Sequence, residues 1–238
     1  MRGASQIPIP LHLGAARGRD SFQVSSCNED ALEVVDNWRE WPRLRMALSG
    51  PPGSGKSHLL EIWASETGAA RLRGRDLAAA DLPALASIGA VAVDDADAVV
   101  AEGPEAETAL FHLYNLMEQE GGALLLAARE APARWGARLP DLASRLAAMP
   151  LARLERPDEA LIRWASLKLF ADRQLSAPPA AVLALAELAG ADLAALERAV
   201  ARIDAAALAS RRKVSAALVR EVLSDPAAER DETVTGMK

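Results

Sequence analysis

A loop with the composition of a phosphate-binding site is the strongest constraint on what this sequence can fold into. Residues 50–57 read Gly-Pro-Pro-Gly-Ser-Gly-Lys-Ser and match the pattern G-x-x-x-x-G-K-[ST]. In such a loop, backbone N–H groups surround phosphate oxygens, the lysine reaches the β- and γ-phosphates, and the final hydroxyl ligates Mg²⁺. Lys56 and Ser57 are the residues expected in these two roles. The sequence therefore predicts a site for a nucleoside diphosphate or triphosphate.

The residues on either side of the loop support this interpretation. Residues 46–48 are apolar and predict a buried strand, and residues 57–64 have the apolar spacing of a helix. The positive end of that helix's dipole would strengthen an anion site at its start. The candidate nucleotide contacts are Gly50, Pro51, Pro52, Gly53, Ser54, Gly55, Lys56, Ser57 and His58.

The composition argues against several classes of protein. No uncharged apolar run approaches the roughly 18 residues that cross a bilayer, and no secretory signal is recognisable, so we expect a cytoplasmic protein without a membrane partner. A single cysteine, Cys27, is incompatible with an intrachain disulfide framework. The net charge of -6 argues against strong binding to duplex DNA, because neutralising phosphates supplies most of that affinity.

Apolar segments that alternate with helical segments predict an α/β fold. The predicted strands are 46–48, 69–72, 90–95 and 123–128, and helices are expected at 30–38, 57–64 and 105–118. This alternation is typical of a three-layer parallel sheet with right-handed crossovers.

The composition changes after residues 151–154, and the rest of the chain has only helical patterns. The predicted helices are 158–172, 179–188, 193–211 and 215–223, with Asp192 and Ser215 at N-cap positions. We therefore expect an N-terminal tail at 1–20, a nucleotide-binding domain at 21–154, a small all-helical lid domain at 155–226 and a C-terminal tail at 227–238.

Two carboxylates, Asp94 and Asp95, stand at the end of a predicted buried strand. Beside a phosphate-binding loop, the first carboxylate of such a pair is expected to hold Mg²⁺. The second is placed to polarise the attacking water, which makes Asp95 a catalytic candidate. The alternative is a pair of acids that face solvent where the strand ends.

Three further motifs resemble those of the DnaA-type bacterial replication initiators and their AAA+ relatives. They are Asp94-Asp95, Glu107-x-x-Leu110-Phe111-His112-Leu113-x-Asn115 and Leu142-Ala143-Ser144-Arg145-Leu146. The resemblance implies an AAA+ domain that binds ADP or ATP with Mg²⁺, held by Ser57 and Asp94. It also implies that Arg145 is an arginine finger, which reaches the γ-phosphate bound by a neighbouring subunit. Side-chain chemistry alone leaves an intrachain salt bridge of Arg145 open.

The resemblance extends to the adenine side of the site and to a particular branch of the family. Phe22 and Asn28 correspond to the family's adenine-side segment. Four sequence segments are similar to those of the Hda family, at 53–58, 111–115, 139–145 and 168–175. Hda proteins are short DnaA homologues that switch the initiator off after replication starts. This implies a regulator that docks on the DNA polymerase sliding clamp, contacts DNA through it, and stimulates ATP hydrolysis by DnaA at the replisome and nucleoid. A homodimer is compatible with the sequence.

A short peptide near the N-terminus resembles the clamp-binding motif of the Hda family. Residues 6–11 read Gln-Ile-Pro-Ile-Pro-Leu, and the two prolines favour an extended form that loses little entropy on binding. Gln6 would hydrogen-bond at the rim of an apolar pocket that receives Ile9 and Leu11. The alternative is a strand that packs on its own domain.

Two positions differ from the initiator pattern. The polar residue that senses the γ-phosphate is replaced by the run Ala127-Ala128-Arg129, and the arginine expected at the start of a lid helix corresponds to Ala191. Fewer groups near the phosphates should weaken the coupling between ATP binding and lid closure. We therefore expect weak intrinsic ATP hydrolysis, with ADP binding retained.

Two other functions are compatible with a phosphate-binding loop. A DnaA-like initiator or helicase loader acting directly on origin DNA would need a basic groove, which the acidic balance disfavours. A self-contained AAA+ remodelling motor would need an exposed aromatic pore loop, and residues 76–85 contain no aromatic side chain.

Overall fold

The computed structural model describes Arg19 and residues 22–224 of the chain. The predicted clamp-binding peptide with Gln6, Ile9 and Leu11 lies outside the described residues, as does the predicted tail at 227–238. Within the described part, no helix is both long enough and apolar enough to cross a bilayer.

A five-stranded parallel sheet forms the centre of the first part of the chain. Its strands are β1 (Arg45–Ser49), β2 (Ala70–Arg73), β3 (Ala90–Asp94), β4 (Ala123–Ala128) and β5 (Leu151–Arg153). Their order across the sheet is β2-β3-β4-β1-β5. The three central strands are buried along almost their whole length, because helices cover both faces, and this explains their continuous apolar sequences.

Helices pack on the two faces of this sheet. They are α1 (Glu29–Asp36), α2 (Lys56–Thr67), α3 (Leu82–Ser87), α4 (Ala98–Glu102), α5 (Pro104–Gln119) and α6 (Pro140–Ala147). Side chains alternate along each strand, so Met46 and Leu48 face a core shared with α1 and α2. On the other face, Leu124 and Leu126 pack with α5 and α6. The result is the predicted three-layer arrangement.

Four helices after β5 enclose a core of their own. They are α7 (Glu159–Asp172), α8 (Pro179–Ala189), α9 (Leu193–Ser210) and α10 (Ala216–Ser224). The predicted N-caps are confirmed: Asp192 Oδ1 accepts from Ala195 N at 2.9 Å, and Ser215 Oγ accepts from Leu218 N at 3.3 Å.

The predicted α/β class with a parallel sheet and a helical second part is confirmed. Three short helices, α3, α4 and α6, are not among the predicted elements. Helix α3 is capped by Asp81 and starts with Leu82-Pro83, while α4 lies between Asp97 and Gly103. Segments this short contain too few turns for a helical period to emerge from their apolar residues.

A pair of leucines in α8 tests the packing of the lid core. Leu185 is fully buried, whereas Leu183 in the same helix is 53% exposed. We expect Leu185→Ala to lower the free energy of unfolding by about 2–5 kcal/mol, because it leaves a cavity. Leu183→Ala should change it by no more than about 0.5 kcal/mol. Urea denaturation of the full chain measures both, and equal losses would contradict this orientation of α8.

Candidate functional site

The phosphate-binding loop joins β1 to α2 at the carboxyl edge of the sheet. Helix α2 spans Lys56–Thr67, which is longer at both ends than the predicted helix at 57–64. Gly53 and Gly55 have φ angles of 69° and 98°, which residues with a side chain rarely adopt. Gly50 lies so close to neighbouring backbone that an added Cβ would be 2.6 Å from the carbonyl oxygen of Leu154. The loop conformation therefore depends on glycine at these positions.

Lys56 is the buried cation of the site, with only 8% of its surface exposed. Its Nζ donates hydrogen bonds to Gly50 O at 2.7 Å and to Pro51 O at 2.9 Å. Burial lowers the pKa of Lys56 below its ordinary value, and the charges of Asp94 and Asp95 act in the opposite direction. An ammonium group beside the first N–H groups of a helix is an arrangement suited to a polyphosphate.

The predicted acidic pair lies at the same edge of the sheet as Lys56. Asp94 is the last residue of β3, and Asp95 follows with a φ of 48°, a conformation that aspartate tolerates better than most residues. The N–H of Asp95 donates to Asp94 Oδ1 at 3.0 Å. Strand β4 lies between β3 and β1, so the pair is about 10 Å from the strand that carries the loop.

Arg129 occupies the space between the loop and the acidic residues. It follows the last residue of β4, and its N–H donates to Asp97 Oδ2 at 3.3 Å. The side chain is exposed and borders two grooves, one shared with Gly50 and Pro51 and the other with Asp95 and Asp97. The run Ala127-Ala128-Arg129, which stands in place of the polar sensor of the initiator pattern, therefore ends in an exposed cation.

The residues expected to hold Mg²⁺ are compatible with that ion when a nucleotide supplies the remaining ligands. Ser57 is exposed at the start of α2, and Asp94 is half-buried. Among the described residues, no three His, Cys, Asp or Glu side chains are grouped as a metal site. Mg²⁺ commonly takes one or two protein oxygens together with phosphate oxygens and water, and Ser57 and Asp94 are donors of that kind.

A pocket with a volume of about 130 Å³ adjoins the loop on the side of the lid. The residues that border it come from the segment before α1, the loop and α2, and helices α7 and α9. They include Phe22, Asn28, Ser54, Gly55, His58, Leu161, Trp164 and Leu193. The rings of Phe22 and His58 meet edge to face with their centroids 5.3 Å apart. Predicted nucleotide contacts from two parts of the sequence, 22–28 and 50–58, therefore meet at one mostly apolar pocket, and α7 and α9 add residues that were not predicted as contacts.

Asn28 shapes the segment that forms one wall of this pocket. The side chain is 3% exposed. Its Oδ1 accepts from Ser25 N and its Nδ2 donates to Gln23 O, both at 2.9 Å. The position predicted to be a nucleotide contact is thus also a structural residue, because its amide group holds the turn that precedes α1.

Asp158 connects the same segment to the lid. Its carboxylate accepts a hydrogen bond from Ser25 Oγ and also caps α7 by accepting from Leu161 N at 2.7 Å. These bonds, chiefly the one from Ser25, lower the pKa of Asp158. A carboxyl group whose pKa is lower in the folded state stabilises the fold above its unfolded pKa. This stabilisation is lost as the pH falls through the folded value.

The start of α9 makes direct contact with the phosphate-binding loop. Leu193 N donates to Gly53 O at 3.0 Å. An added Cβ on Gly53 would overlap the Asp192 carboxylate and lie 2.9 Å from Asp192 Cα. Ala191, where the initiator pattern has an arginine, is exposed. The lid therefore contacts the loop through Leu193 and through an acid, Asp192. The sequence identified Asp192 as a helix cap but not as a contact of the loop.

Arg145 is at the opposite edge of the sheet. It lies near the end of α6, where its Nη1 donates to Glu118 Oε2 at 2.9 Å and its guanidinium is 5.0 Å from the ring centre of Tyr114. Arg45, the first residue of β1, contacts the same ring at 5.2 Å. The structure therefore does not bring Arg145 to the loop, which follows the other end of β1. Within one chain, Arg145 forms the salt bridge that the sequence left open as the alternative, with its side chain 31% exposed.

Glu107 has a positioning role that its place in the motif did not reveal. It is 1% exposed, and its Oε2 accepts from Arg138 N at 2.8 Å and from Leu139 N at 3.0 Å. Leu139 immediately precedes α6. This buried carboxylate therefore fixes the start of the helix that carries Arg145.

Comparison with known proteins establishes the fold. No family model matches the chain. An uncharacterized protein of Haemophilus influenzae is 26% identical over 233 residues, which is 92% of this chain and 98% of that relative. Domain III of the replication initiation protein DnaA from Thermotoga maritima has a TM-score of 0.74 at 18% identity, covering 92% of this chain and 98% of the solved one. AMPPCP-bound DnaA from Aquifex aeolicus has a TM-score of 0.64 at 17% identity, covering 77% and 63% respectively. The chain has the fold of DnaA domain III.

Trp164 provides a test of the pocket as the base-binding region. It is half-buried and borders the pocket. Trp135 does not border this pocket. We expect ADP with Mg²⁺ to change the tryptophan fluorescence of the full chain, because a purine would lie near the indole ring. Trp164→Phe should remove most of that change and the matched control Trp135→Phe should keep it. An undiminished change in Trp164→Phe would place the base elsewhere.

Proposed function

We propose that this chain is an Hda-like AAA+ regulator that binds an adenine nucleotide between its sheet domain and its helical lid. In this proposal it docks on the DNA polymerase sliding clamp and stimulates ATP hydrolysis by the initiator DnaA, which prevents re-initiation. The observation that carries the proposal is that the proposed nucleotide site and Arg145 lie at opposite edges of the sheet. Lys56 and the acidic pair lie at the carboxyl edge of the sheet, and Arg145 lies at the amino edge.

The nucleotide site is built from groups already in place. Lys56 and the loop amides would hold the phosphates, Ser57 and Asp94 would hold Mg²⁺, and the pocket beside Phe22 and Trp164 would receive the base. When held by Ser57 and Asp94, the ion would neutralise part of the phosphate charge. Asp95, next to Asp94, would orient a water molecule.

The same arrangement supports weak intrinsic hydrolysis. Arg145 is separated from the loop by the length of β1, roughly 13–16 Å for a strand of this size. The lid presents Asp192 to the loop and no cation from Ala191. Arg129, Arg134 and Arg153 border the groove beside Gly50 and Pro51 and are the candidates there for a cation additional to Lys56. In this proposal the nucleotide serves mainly to hold the lid and the sheet domain in one arrangement.

Arg145 would act on a nucleotide held by another protein. The guanidinium of Arg145 is partly exposed, and its ring contacts with Phe111 and Tyr114 do not involve Glu118. It can therefore exchange Glu118 for a phosphate at low cost, because exposed ion pairs contribute only about 0–1 kcal/mol. Phosphate carries more charge than one carboxylate and accepts bidentate hydrogen bonds from arginine. The bond that breaks would then lie in the ATP of the initiator, which makes this chain an activator of a partner's ATPase.

Docking on the clamp would be the task of residues 6–11, with Gln6, Ile9 and Leu11 as the contacts. Attachment to a clamp on DNA raises the local concentration of Arg145 near initiator molecules on the same DNA. Direct action on origin DNA is the competing function. It predicts DNA binding without the clamp, with a steep dependence on salt concentration.

A reconstituted mixture of clamp-loaded DNA, ATP-bound DnaA and this chain tests the proposal. We expect the chain to accelerate loss of ATP from DnaA, and Arg145→Ala to abolish most of that acceleration, since arginine fingers contribute on the order of 10³-fold or more. The matched control is Arg212→Ala, because Arg212 is also partly exposed and ion-paired, with Glu221 in the lid.

The same assay separates the clamp contact from the finger. The double change Gln6→Ala and Leu11→Ala should remove clamp dependence while leaving nucleotide binding by the chain unchanged. If Arg145→Ala accelerates ATP loss as well as the unaltered chain does, the finger role is wrong. Tight DNA binding in the absence of clamp would instead favour the origin-binding alternative.

A further inference from the structure

The contact between the lid and the phosphate-binding loop is made by a carboxylate. Asp192 precedes α9, is half-buried, and lies against Gly53 so closely that no side chain could be added there. The adjacent hydrogen bond from Leu193 N to Gly53 O, at 3.0 Å, fixes the backbone of the lid to the backbone of the loop. Asp192 is therefore held at the loop by main-chain geometry and does not depend on a flexible side chain to reach it.

The negative charge of Asp192 is not neutralised by a cation. Its Oδ1 accepts a hydrogen bond from Ala195 N at 2.9 Å, which caps α9. Among the residues that the structure describes, no lysine or arginine forms an ion pair with it. Lys56 directs its Nζ to the carbonyl oxygens of Gly50 and Pro51.

Asp192 also reduces the attraction of the start of α9 for an anion. A helix N-terminus carries a partial positive charge that would favour phosphate. The carboxylate of Asp192 occupies that end and offsets its charge, so the lid brings a net negative group to the loop. On the opposite side, Asp94 and Asp95 contribute further negative charge near Lys56. Arg129 contributes positive charge near Lys56, so the sheet domain supplies charges of both signs, whereas the lid residue that approaches Gly53 is an acid.

We propose that Asp192 is a specificity-determining residue that disfavours a third phosphate, so that the closed lid accepts ADP more readily than ATP. The proposal rests on the proposed nucleotide site and adds to it the residue that selects between its two ligands. ATP carries one more negative charge than ADP, and the two bind through the same loop. A fixed negative charge at the loop therefore costs ATP more than ADP, by about three- to tenfold in affinity for unit charges separated by a few ångströms of partly hydrated protein.

An ordinary helix cap would give the same hydrogen bond to Ala195 without any effect on nucleotide choice. Asp192→Asn separates the two roles, because asparagine caps a helix about as well as aspartate but carries no charge. Asp81→Asn is the matched control. Asp81 caps α3 in the same way, accepting from Ala84 N at 3.1 Å, but it does not approach a glycine of the phosphate-binding loop as Asp192 approaches Gly53.

The experiment measures dissociation constants of the full chain for ATP and for ADP, both with Mg²⁺, by displacement of a fluorescent ADP analogue. We expect Asp192→Asn to strengthen ATP binding by about three- to tenfold and ADP binding by clearly less. The change in the ATP-to-ADP ratio should shrink at high salt concentration, because it is electrostatic. Asp81→Asn should leave the ratio unchanged. Equal thermal unfolding midpoints for the variants and the unaltered chain would confirm that the cap is intact.

An unchanged ATP-to-ADP ratio in a folded Asp192→Asn variant would overturn the inference while leaving the nucleotide site in place. Weaker ATP binding in that variant would overturn it as well, since the carboxylate would then support the third phosphate. Failure of the unaltered chain to bind either nucleotide would instead remove the proposed function, and with it the specificity role.

Discussion

The Lys56 ammonium group donates hydrogen bonds to the carbonyl oxygens of Gly50 and Pro51. These bonds join the start of α2 to the beginning of the loop that follows β1. The remaining features of the site are arranged around this loop. Burial of an ammonium group costs free energy unless oxygen atoms surround it, and here the loop's own carbonyl groups supply them. The carboxylates of Asp94 and Asp95 favour its charged form. A cation maintained in this way by the protein's own groups is preorganised for phosphate, so little reorganisation is required on binding.

Two long-range contacts join the lid to this loop and to the segment that borders the pocket. Asp192 and Leu193 meet Gly53, and Asp158 meets Ser25. A nucleotide placed between them would touch both halves of the chain, so its binding would stabilise their relative arrangement. Arg145 is outside this assembly, held by Glu118 at the far edge of the sheet. The fold thus separates the proposed nucleotide site from Arg145.

The sequence predicted the parts of the structure that local patterns encode. The strands ending at Ser49, Asp94 and Ala128 are continuous apolar runs, because both faces of a covered parallel sheet are buried. Asp192 and Ser215 were recognisable as caps because a capping side chain acts within three residues of its own position. The short helices α3 and α4 were missed, since they contain too few turns to show a period.

Contacts between distant residues could not be predicted from such patterns. Ser25 and Asp158 are 133 positions apart, and no local motif relates them. The same holds for the approach of Asp192 to Gly53 and for the bonds by which Glu107 fixes the start of α6. Motif comparison identified Ala191 as a lost cation but did not show that an acid one residue later would meet the loop. That fact depends on how α9 packs onto the sheet domain.

Calorimetric titration of the full chain with ADP and Mg²⁺ tests the central claim most directly. We expect binding at a single site and its loss in Lys56→Ala, because the carbonyl groups of Gly50 and Pro51 would then surround no cation that could pair with phosphate. A well-folded chain that binds no adenine nucleotide at millimolar concentration, or a Lys56→Ala variant that binds as tightly as the unaltered chain, would contradict it.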